Sequence, residues 1–333
     1  MDSAFLLLML IIVLGLVFEF ANGFHDAANA IATVVGTRVL SPPLAVLMAG
    51  TLNFIGAVSG TAVATTVGTG IVDPTVVTQG TVIAGLLSAI VWDVITWYYG
   101  LPSSSSHALI FSVVGAGVAT AGWNVVIFGG LARTGLGIVY SPLVGFVLAG
   151  LLLIGVIWLF ARTRRLIANT IFARLQLLSS AYVAFSHGGN DGQKTMGIIA
   201  LALFSYGALG STFYIPTWVA VAAALAIGLG TASGGWRIVK TMGFSLGALQ
   251  PVHGFSAEVA AGSVIEVATR FGVPISTTHA ITGAILGVGT ARRVKGVRWG
   301  LAGRIVAGWV LTIPGCFLLG YGIKLLLAAL FGQ

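Results

Sequence analysis

The sequence has 333 residues, of which 57% are hydrophobic and only 7% are charged, whereas about 25% of residues are charged in a typical soluble domain. Together with a mean hydropathy of +1.05, this composition excludes a water-soluble globular protein and indicates a multi-pass protein of the cell membrane. The formal net charge of +8 does not indicate nucleic-acid binding, because the basic residues stand mostly in short loops, where they set topology.

Apolar runs long enough to span a bilayer recur along the chain and predict membrane helices. They cover 43–69, 77–99, 138–161, 214–233 and 305–331. A shorter run at 4–18 continues with a helical pattern towards residue 36. Because these runs are too long for barrel strands, we predict an all-α polytopic membrane protein.

The first predicted helix contains a polar motif over 22–29, NGFHDAAN. A continuous helix over 4–36 would be about 50 Å long at about 1.5 Å per residue, which exceeds a hydrocarbon core of about 30 Å. We therefore predict a break or a sharp tilt near Asn22–Asp26.

A related motif, HGGNDGQK, follows over 187–194, where Asp191 aligns with Asp26. Its three glycines predict that the helix unwinds around Asn190 and Asp191. Charged side chains at membrane depth are costly, so the two aspartates are candidate functional residues. A buried hydrogen bond that only fixes helix packing is the alternative.

A second pair of motifs reads GLPSSSSHA over 100–108 and GVPISTTHA over 272–280. Proline suits the first turn of a helix, and the hydroxyl groups that follow stand beside free amides at the positive helix end. Such an end binds phosphate or sulfate. Capping of the helix by its own hydroxyl groups is the alternative for each stretch.

The distribution of basic loops predicts that the two halves are inverted repeats. With five crossings in each half, matching loops lie on opposite sides of the membrane, and positive charge follows the cytoplasmic member. We predict a first inverted repeat over 1–161, a basic cytoplasmic linker over 162–174, and a second inverted repeat over 175–333, with both termini outside.

Taken together, the two polar motifs and the two Pro–Ser/Thr–His segments resemble the inorganic phosphate transporter (PiT) family over almost the whole chain. The resemblance implies an inverted-topology repeat with broken helices and two re-entrant hairpins. It also implies a secondary active transporter, not an enzyme, that moves inorganic phosphate by symport with sodium or protons. The family includes sulfate permeases, so sulfate remains an alternative substrate.

The resemblance also implies partners and site residues. No cofactor is expected apart from a sodium ion or proton as the coupling ion. The expected partners are inorganic phosphate and the lipid bilayer, and assembly into a homodimer is compatible with the family. The residues expected to bind phosphate are Ser104, Ser105, Ser106, Ser276, Thr277 and Thr278. Those expected to hold or orient the coupling ion are Asp26, Asn29, Asn190, Asp191 and Gln193, and the first four are the candidate metal ligands.

Other polar residues have two interpretations each. Lys194 takes the place that symmetry would give to an asparagine matching Asn29, and either neutralises phosphate or pairs with Asp191. The histidines of the motifs either relay protons or form buried hydrogen bonds. Two carboxylates before the second hairpin, Glu258 and Glu266, and one before the first, Asp93, are candidates for extending the cation path.

Two other functional classes can be weighed from the same residues. An intramembrane hydrolase would use Ser105 or Ser106 as nucleophile and His107 or His279 as base, but the second copy carries threonines where a nucleophile needs one positioned serine. A passive anion channel would explain the hydroxyl groups but not the paired aspartates, which repel anions. Both classes are therefore less favoured than symport.

Overall fold

A computed structural model describes residues 3–331, so the outermost residues of the two predicted repeats, 1–2 and 332–333, lie outside the described part. The described residues form helices and connecting turns, and one isolated bridge among them pairs Val72 with Val126. The helices are α1 (Ser3–Gly36), α2 (Pro42–Val58), α3 (Ala62–Gly70), α4 (Gln79–Tyr98), α5 (Ser105–Ala121), α6 (Phe128–Leu159), α7 (Arg165–Ser205), α8 (Thr217–Ser233), α9 (Trp236–Lys240), α10 (Pro251–Arg270), α11 (Thr277–Arg292) and α12 (Trp299–Phe331).

The outer surface of this bundle is apolar, and its charged motif residues lie inside, as expected of a protein surrounded by lipid. Along α6, Val147, Leu151 and Ile154 are about half exposed, at 56%, 62% and 49%. In contrast, both aspartates of the polar motifs are buried. A water-soluble monomer rarely exposes so large an apolar surface, so the helices face lipid.

Several helices are long and apolar enough to cross a membrane. They are α1, α4, α6 and α12, together with two bent pairs, α2 with α3 and α8 with the segment Trp236–Ser245, which consists of α9 and the π-helical turn after it. These helices cover the apolar runs of the sequence. The run 43–69, which reads as one span, is bent by 67° between α2 and α3.

The predicted break near Asn22–Asp26 is wrong, because α1 is helical throughout Ser3–Gly36, and its alternative, a sharp tilt, stays a prediction. The predicted unwinding of the second motif is wrong as well, because α7 is helical throughout Arg165–Ser205. The glycines serve close helix contact instead. An added Cβ would lie 2.4 Å from the Ile227 carbonyl oxygen at Gly23 and 2.1 Å from the Asn53 carbonyl oxygen at Gly188.

The helices break at other positions. Between α2 and α3, the Ser59 hydroxyl donates to the Gly56 carbonyl at 2.6 Å. The Val63 amide, in the first turn of α3, donates to Gln193 Oε1 at 2.9 Å. A side chain of α7 therefore satisfies one of the amides that the start of a helix leaves unpaired, and the α2–α3 chain can bend without losing that bond.

Two helical hairpins, α4–α5 and α10–α11, occupy matching places in the two halves, and each is followed by a long helix that contains a proline, Pro142 in α6 and Pro314 in α12. The long helices pack across the halves, α6 against α11 and α12 against α5. The first helices do the same, α1 against α8 and α2 against α7. Consequently the two halves are interlocked.

The close approach at Gly188 leads to a stability prediction. Alanine is favoured over glycine in a helix by about 1 kcal/mol, but overpacking costs about 1–3 kcal/mol, and the obstructing Asn53 atoms belong to the backbone. We expect Gly188→Ala to lower the thermal unfolding midpoint in detergent.

Gly155 on α6 is the matched control, because nothing lies within 4 Å of its added Cβ. Gly155→Ala should leave the midpoint unchanged or raise it. A Gly188→Ala protein as stable as the parent would show that α2 and α7 can separate at this point without loss.

Candidate functional site

The two hairpin turns have the same construction. Each first helix ends before a glycine with positive φ, Gly100 at 64° and Gly272 at 65°, a conformation that glycine adopts without a steric penalty. The N-cap hydroxyl of each second helix then accepts the backbone amide three residues on, at 3.2 Å in both Ser104 and Ser276. These two predicted phosphate ligands therefore act as helix caps.

The N-terminal ends of α5 and α11 meet in the centre of the protein. The rings of His107 and His279, one turn into each helix, are 4.5 Å apart and perpendicular. Both N-termini are buried, with exposures of 0–4% from Ser103 to His107 and from Ser276 to His279. Two positive helix ends thus face one closed region, an arrangement that favours an anion.

Asp26 lies against the second hairpin although it belongs to the first half. Its Oδ2 accepts the Thr278 hydroxyl at 3.2 Å, and its Oδ1 lies 2.6 Å from His25 Nδ1. One turn further along α1, Asn29 Nδ2 donates to the hydroxyls of Thr277 at 3.2 Å and Thr278 at 3.0 Å. Two predicted cation residues and two predicted phosphate residues are therefore in direct contact.

Asp191 on α7 has a different environment, because a fixed positive charge lies beside it. Its Oδ1 accepts the Lys194 ammonium in a short hydrogen bond, and its Oδ2 accepts the Thr277 hydroxyl at 2.8 Å. Lys194 Nζ also donates to Ser106 Oγ at 2.5 Å and to the Ile275 carbonyl at 2.8 Å. Of the two interpretations of Lys194, pairing with Asp191 is the one present here.

Asp26 and Asp191 approach each other between the two halves. Together with His187 they offer ligand atoms that all lie within 4.8 Å of one another, and all three residues are buried. His187 Nε2 is 3.2 Å from Asp191 Oδ2. Oxygen and imidazole ligands at this spacing suit a cation, so cation ligands stand directly beside the anion-favouring helix ends.

The other two predicted coupling-ion residues support the structure around this centre. Asn190 donates to the Thr269 hydroxyl at 2.9 Å and to the Val273 carbonyl at 3.3 Å, and so holds the turn of the second hairpin. Gln193 accepts the amide at the start of α3. Neither side chain makes a described hydrogen bond to Asp26 or Asp191.

The four motif histidines differ in their partners. His25 bridges Asp26 and Thr96, with Nε2 3.0 Å from the threonine hydroxyl. His187 Nδ1 lies 2.8 Å from Asn53 Oδ1, and the ring of His279 stacks on Trp309 at 3.8 Å. Neither ring nitrogen of His107 has a hydrogen-bond partner in the described residues. His107 is therefore not hydrogen-bonded to a serine, as the general base of a serine hydrolase would be.

Of the carboxylates proposed to extend the cation path, Glu258 is fully buried. It accepts Thr33 Oγ1 at 2.6 Å, Gln176 Nε2 at 3.0 Å and, in a short bond, Ser179 Oγ. It therefore joins α1, α7 and α10. Glu266 lies at the rim, 18% exposed, and pairs with Arg270 at 2.9 Å.

Sequence reasoning missed Glu19, a fully buried carboxylate two turns before Asp26 on α1. It accepts the Thr195 hydroxyl in a short bond, while its Oε1 has no hydrogen-bond partner in the described residues. The available signal was a lone acidic residue inside an apolar run, which is costly at membrane depth.

A family model described as the phosphate transporter family matches residues 22–171 and 160–320 of this chain. The chain belongs to the phosphate transporter family. It is a multi-pass membrane transporter and not an enzyme, as the sequence predicts.

Several proteins of known description align with this chain over nearly its full length. The chain is 53% identical over 317 residues to a probable low-affinity inorganic phosphate transporter of Rhizobium meliloti (strain 1021), covering 95% of each chain. It is 45% identical to a protein of the same description in Bacillus subtilis (strain 168), covering 94% of this chain and 95% of the relative. It is 31% identical to a putative phosphate permease of Pyrococcus abyssi, covering 92% and 94%.

The fold also resembles a solved structure described as the sodium-dependent phosphate transporter. The TM-score is 0.87 at 25% sequence identity, and the match covers 98% of this chain and 100% of that chain. The predicted all-α polytopic fold class is thereby confirmed.

Proposed function

We propose that this chain is a secondary active transporter that moves inorganic phosphate by symport with a monovalent cation, sodium or a proton. The observation that carries the proposal is the contact between Thr278, at the start of α11, and Asp26. It brings a carboxylate to an anion-favouring helix end. A carboxylate repels phosphate strongly at low dielectric, so the two are compatible only when a cation lies between them.

The division of labour follows from these contacts. Phosphate takes the hydroxyls of Ser105, Ser106, Thr277 and Thr278, with Ser104 and Ser276 fixing the helix ends that supply free amides. The coupling ion takes Asp26 and Asn29 in the first half, Asp191 lies next to it as the partner of Lys194, and Asn190 and Gln193 position the surrounding elements. The name of the solved neighbour, a sodium-dependent phosphate transporter, favours sodium as the coupling ion.

We further propose that residues 1–161 and 175–333 are inverted repeats joined by the basic segment 162–174. The matching order of hairpins and proline-containing helices supports this division, and burial of the site on all sides is consistent with an occluded state of alternating access. Lipid surrounds the bundle. The homodimer stays a prediction, which analytical ultracentrifugation in detergent tests.

The inverted repeat predicts opposite labelling of two exposed positions. A cysteine at Ala161 should react only with reagents admitted to the cytoplasm, whereas one at Val76, which is 39% exposed, should react from outside. The native Cys316 is buried and serves as the background. Labelling of both positions from the same side would refute the inverted topology.

Uptake of labelled phosphate by proteoliposomes tests the function. An inward sodium gradient, or an inward proton gradient in sodium-free buffer, should drive phosphate above its external concentration, and dissipating the gradient should release it. An anion channel would only equilibrate phosphate. Excess sulfate should compete weakly; competition equal to that of unlabelled phosphate would instead support a sulfate permease.

A further inference from the structure

Lys194 occupies, in the second half, the position that Asn29 occupies in the first. Each stands three residues after the aspartate of its polar motif, Asp26 or Asp191. The hairpin motifs align Thr278 with Ser106 in the same way. These correspondences allow the two halves of the site to be compared contact by contact.

Equivalent side chains make equivalent hydrogen bonds in the two halves, but the donor is an amide in one half and an ammonium in the other. Asn29 Nδ2 donates to Thr278 Oγ1 at 3.0 Å, and Lys194 Nζ donates to Ser106 Oγ at 2.5 Å. In each half a side chain of the polar helix therefore reaches the third residue of the opposite hairpin tip. Only in the second half does that side chain carry an ammonium group.

The ammonium of Lys194 is held as a bound cation would be. It is only 2% exposed, counted over the whole residue, and its three donors are matched by a carboxylate, a hydroxyl and a carbonyl: Asp191, Ser106 and Ile275. Oxygen ligands of these kinds are those that hard cations take in proteins. The nitrogen thus stands at the centre of a cation-binding set of oxygens.

The first half has the oxygens but no fixed cation. In the part of the chain that the structure describes, the ion-pair partner of Asp26 is His25, and neither a lysine nor an arginine lies within salt-bridge distance. The buried Oδ1 of Asn29 has no hydrogen-bond partner among the described residues. His25 offsets the charge of Asp26 only while its ring is protonated, and a buried carboxylate without a fixed counter-charge is costly, so this half has room for a cation from outside.

We propose that the Lys194 ammonium is a tethered cation that permanently fills the second-half cation site, so that one exchangeable cation, bound at Asp26 and Asn29, accompanies each phosphate. The inference rests on the proposed symport and specifies its stoichiometry. Two symmetric sites with exchangeable ions would carry one more positive charge per phosphate, because a tethered charge stays with the protein.

The unmodified protein provides the first test, in proteoliposomes with sodium or proton gradients. The dependence of phosphate uptake on the driving cation should have a Hill coefficient close to one, because that coefficient cannot exceed the number of interacting sites. A coefficient near two would overturn the proposal, although gradient-driven uptake would still support symport. Absence of any gradient-driven uptake would instead refute the proposed function.

Two exchanged variants provide the second test. Lys194→Asn should create a second exchangeable site, raising the Hill coefficient towards about 2 and the charge moved per phosphate by one elementary charge. Asn29→Lys should tether a cation in the first half and make phosphate binding independent of added sodium. Unchanged cation dependence in Asn29→Lys would overturn the proposal even if Lys194→Asn failed to fold, and so would an unchanged Hill coefficient in a folded Lys194→Asn protein.

Discussion

Replacing Asp26 by asparagine should uncouple phosphate uptake from the driving cation. The amide is nearly the size of the carboxylate and still accepts the Thr278 hydroxyl, so the contact between α1 and α11 is retained while the negative charge is lost. Coupling between bound ligands is typically about 5- to 150-fold in affinity, and in Asp26→Asn the cation-induced gain in phosphate affinity should fall to about 1-fold. Phosphate binding measured with and without sodium, and across pH, gives that factor directly.

Asp191→Asn is the matched comparison, because the charge that it removes is paired with the Lys194 ammonium. Breaking a buried ion pair costs about 3–5 kcal/mol, so this variant should be clearly less stable than Asp26→Asn. It should also flatten the cation dependence, because the freed Lys194 ammonium then counterbalances phosphate itself. If both variants retain the parent's full sodium and pH dependence, the coupling ion binds elsewhere.

The second large effect is expected at the hairpin tips. Ser105 Oγ is buried, and its one described polar contact is with the Asp93 carboxylate, outside normal hydrogen-bond geometry, so Ser105→Ala should change stability little. Hydrogen bonds to charged groups contribute about 1.5–3 kcal/mol, so loss of one to phosphate should weaken its binding by at least about tenfold. Thr277→Val should weaken binding similarly and also loosen Asp191, which accepts the threonine hydroxyl.

A serine elsewhere on the same helix controls for this substitution. Ser112 is fully buried in α5, about two turns beyond the tip at about 3.6 residues per turn, and Ser112→Ala should leave phosphate affinity unchanged. Equilibrium binding of labelled phosphate to the purified proteins provides the comparison. Unchanged affinity in both Ser105→Ala and Thr277→Val would remove the hairpin tips from the phosphate site.

The sequence predicts the fold class well, because lipid imposes simple rules. Apolar length identifies the spans, and the family resemblance carried by the paired Pro–Ser/Thr–His segments implies the hairpins before any contact is known. The same reasoning fails for the helix breaks, because the sequence does not distinguish a glycine that unwinds a helix from a glycine that allows another helix to pack closely. At Gly188 the closely packed group is the backbone of α2, whose residues are distant from Gly188 in the sequence.

The candidate site is predictable in its residues but not in its pairings. Alignment of the two polar motifs selects Asp26 and Asp191, yet it does not say that Thr278 of the second half reaches Asp26 of the first. Nor does it place Gln193 at the start of α3 rather than beside the aspartates. Such pairings depend on how the helices of the two halves pack together, and a local sequence pattern does not determine that packing.

The packing of α12 against α5 also constrains how the protein is made. The two helices approach so closely that an added Cβ at Gly115 would lie 2.1 Å from the Phe317 carbonyl oxygen, and one at Gly320 would lie 2.1 Å from the Ser112 carbonyl oxygen. Ribosomes add about 5–20 residues per second, so roughly ten to forty seconds pass between the synthesis of α5 and the completion of α12, which packs against it. Until then its small-residue face has only lipid or the membrane-insertion machinery to contact, and a chain truncated before α12 should be recognised as unfinished by membrane proteases.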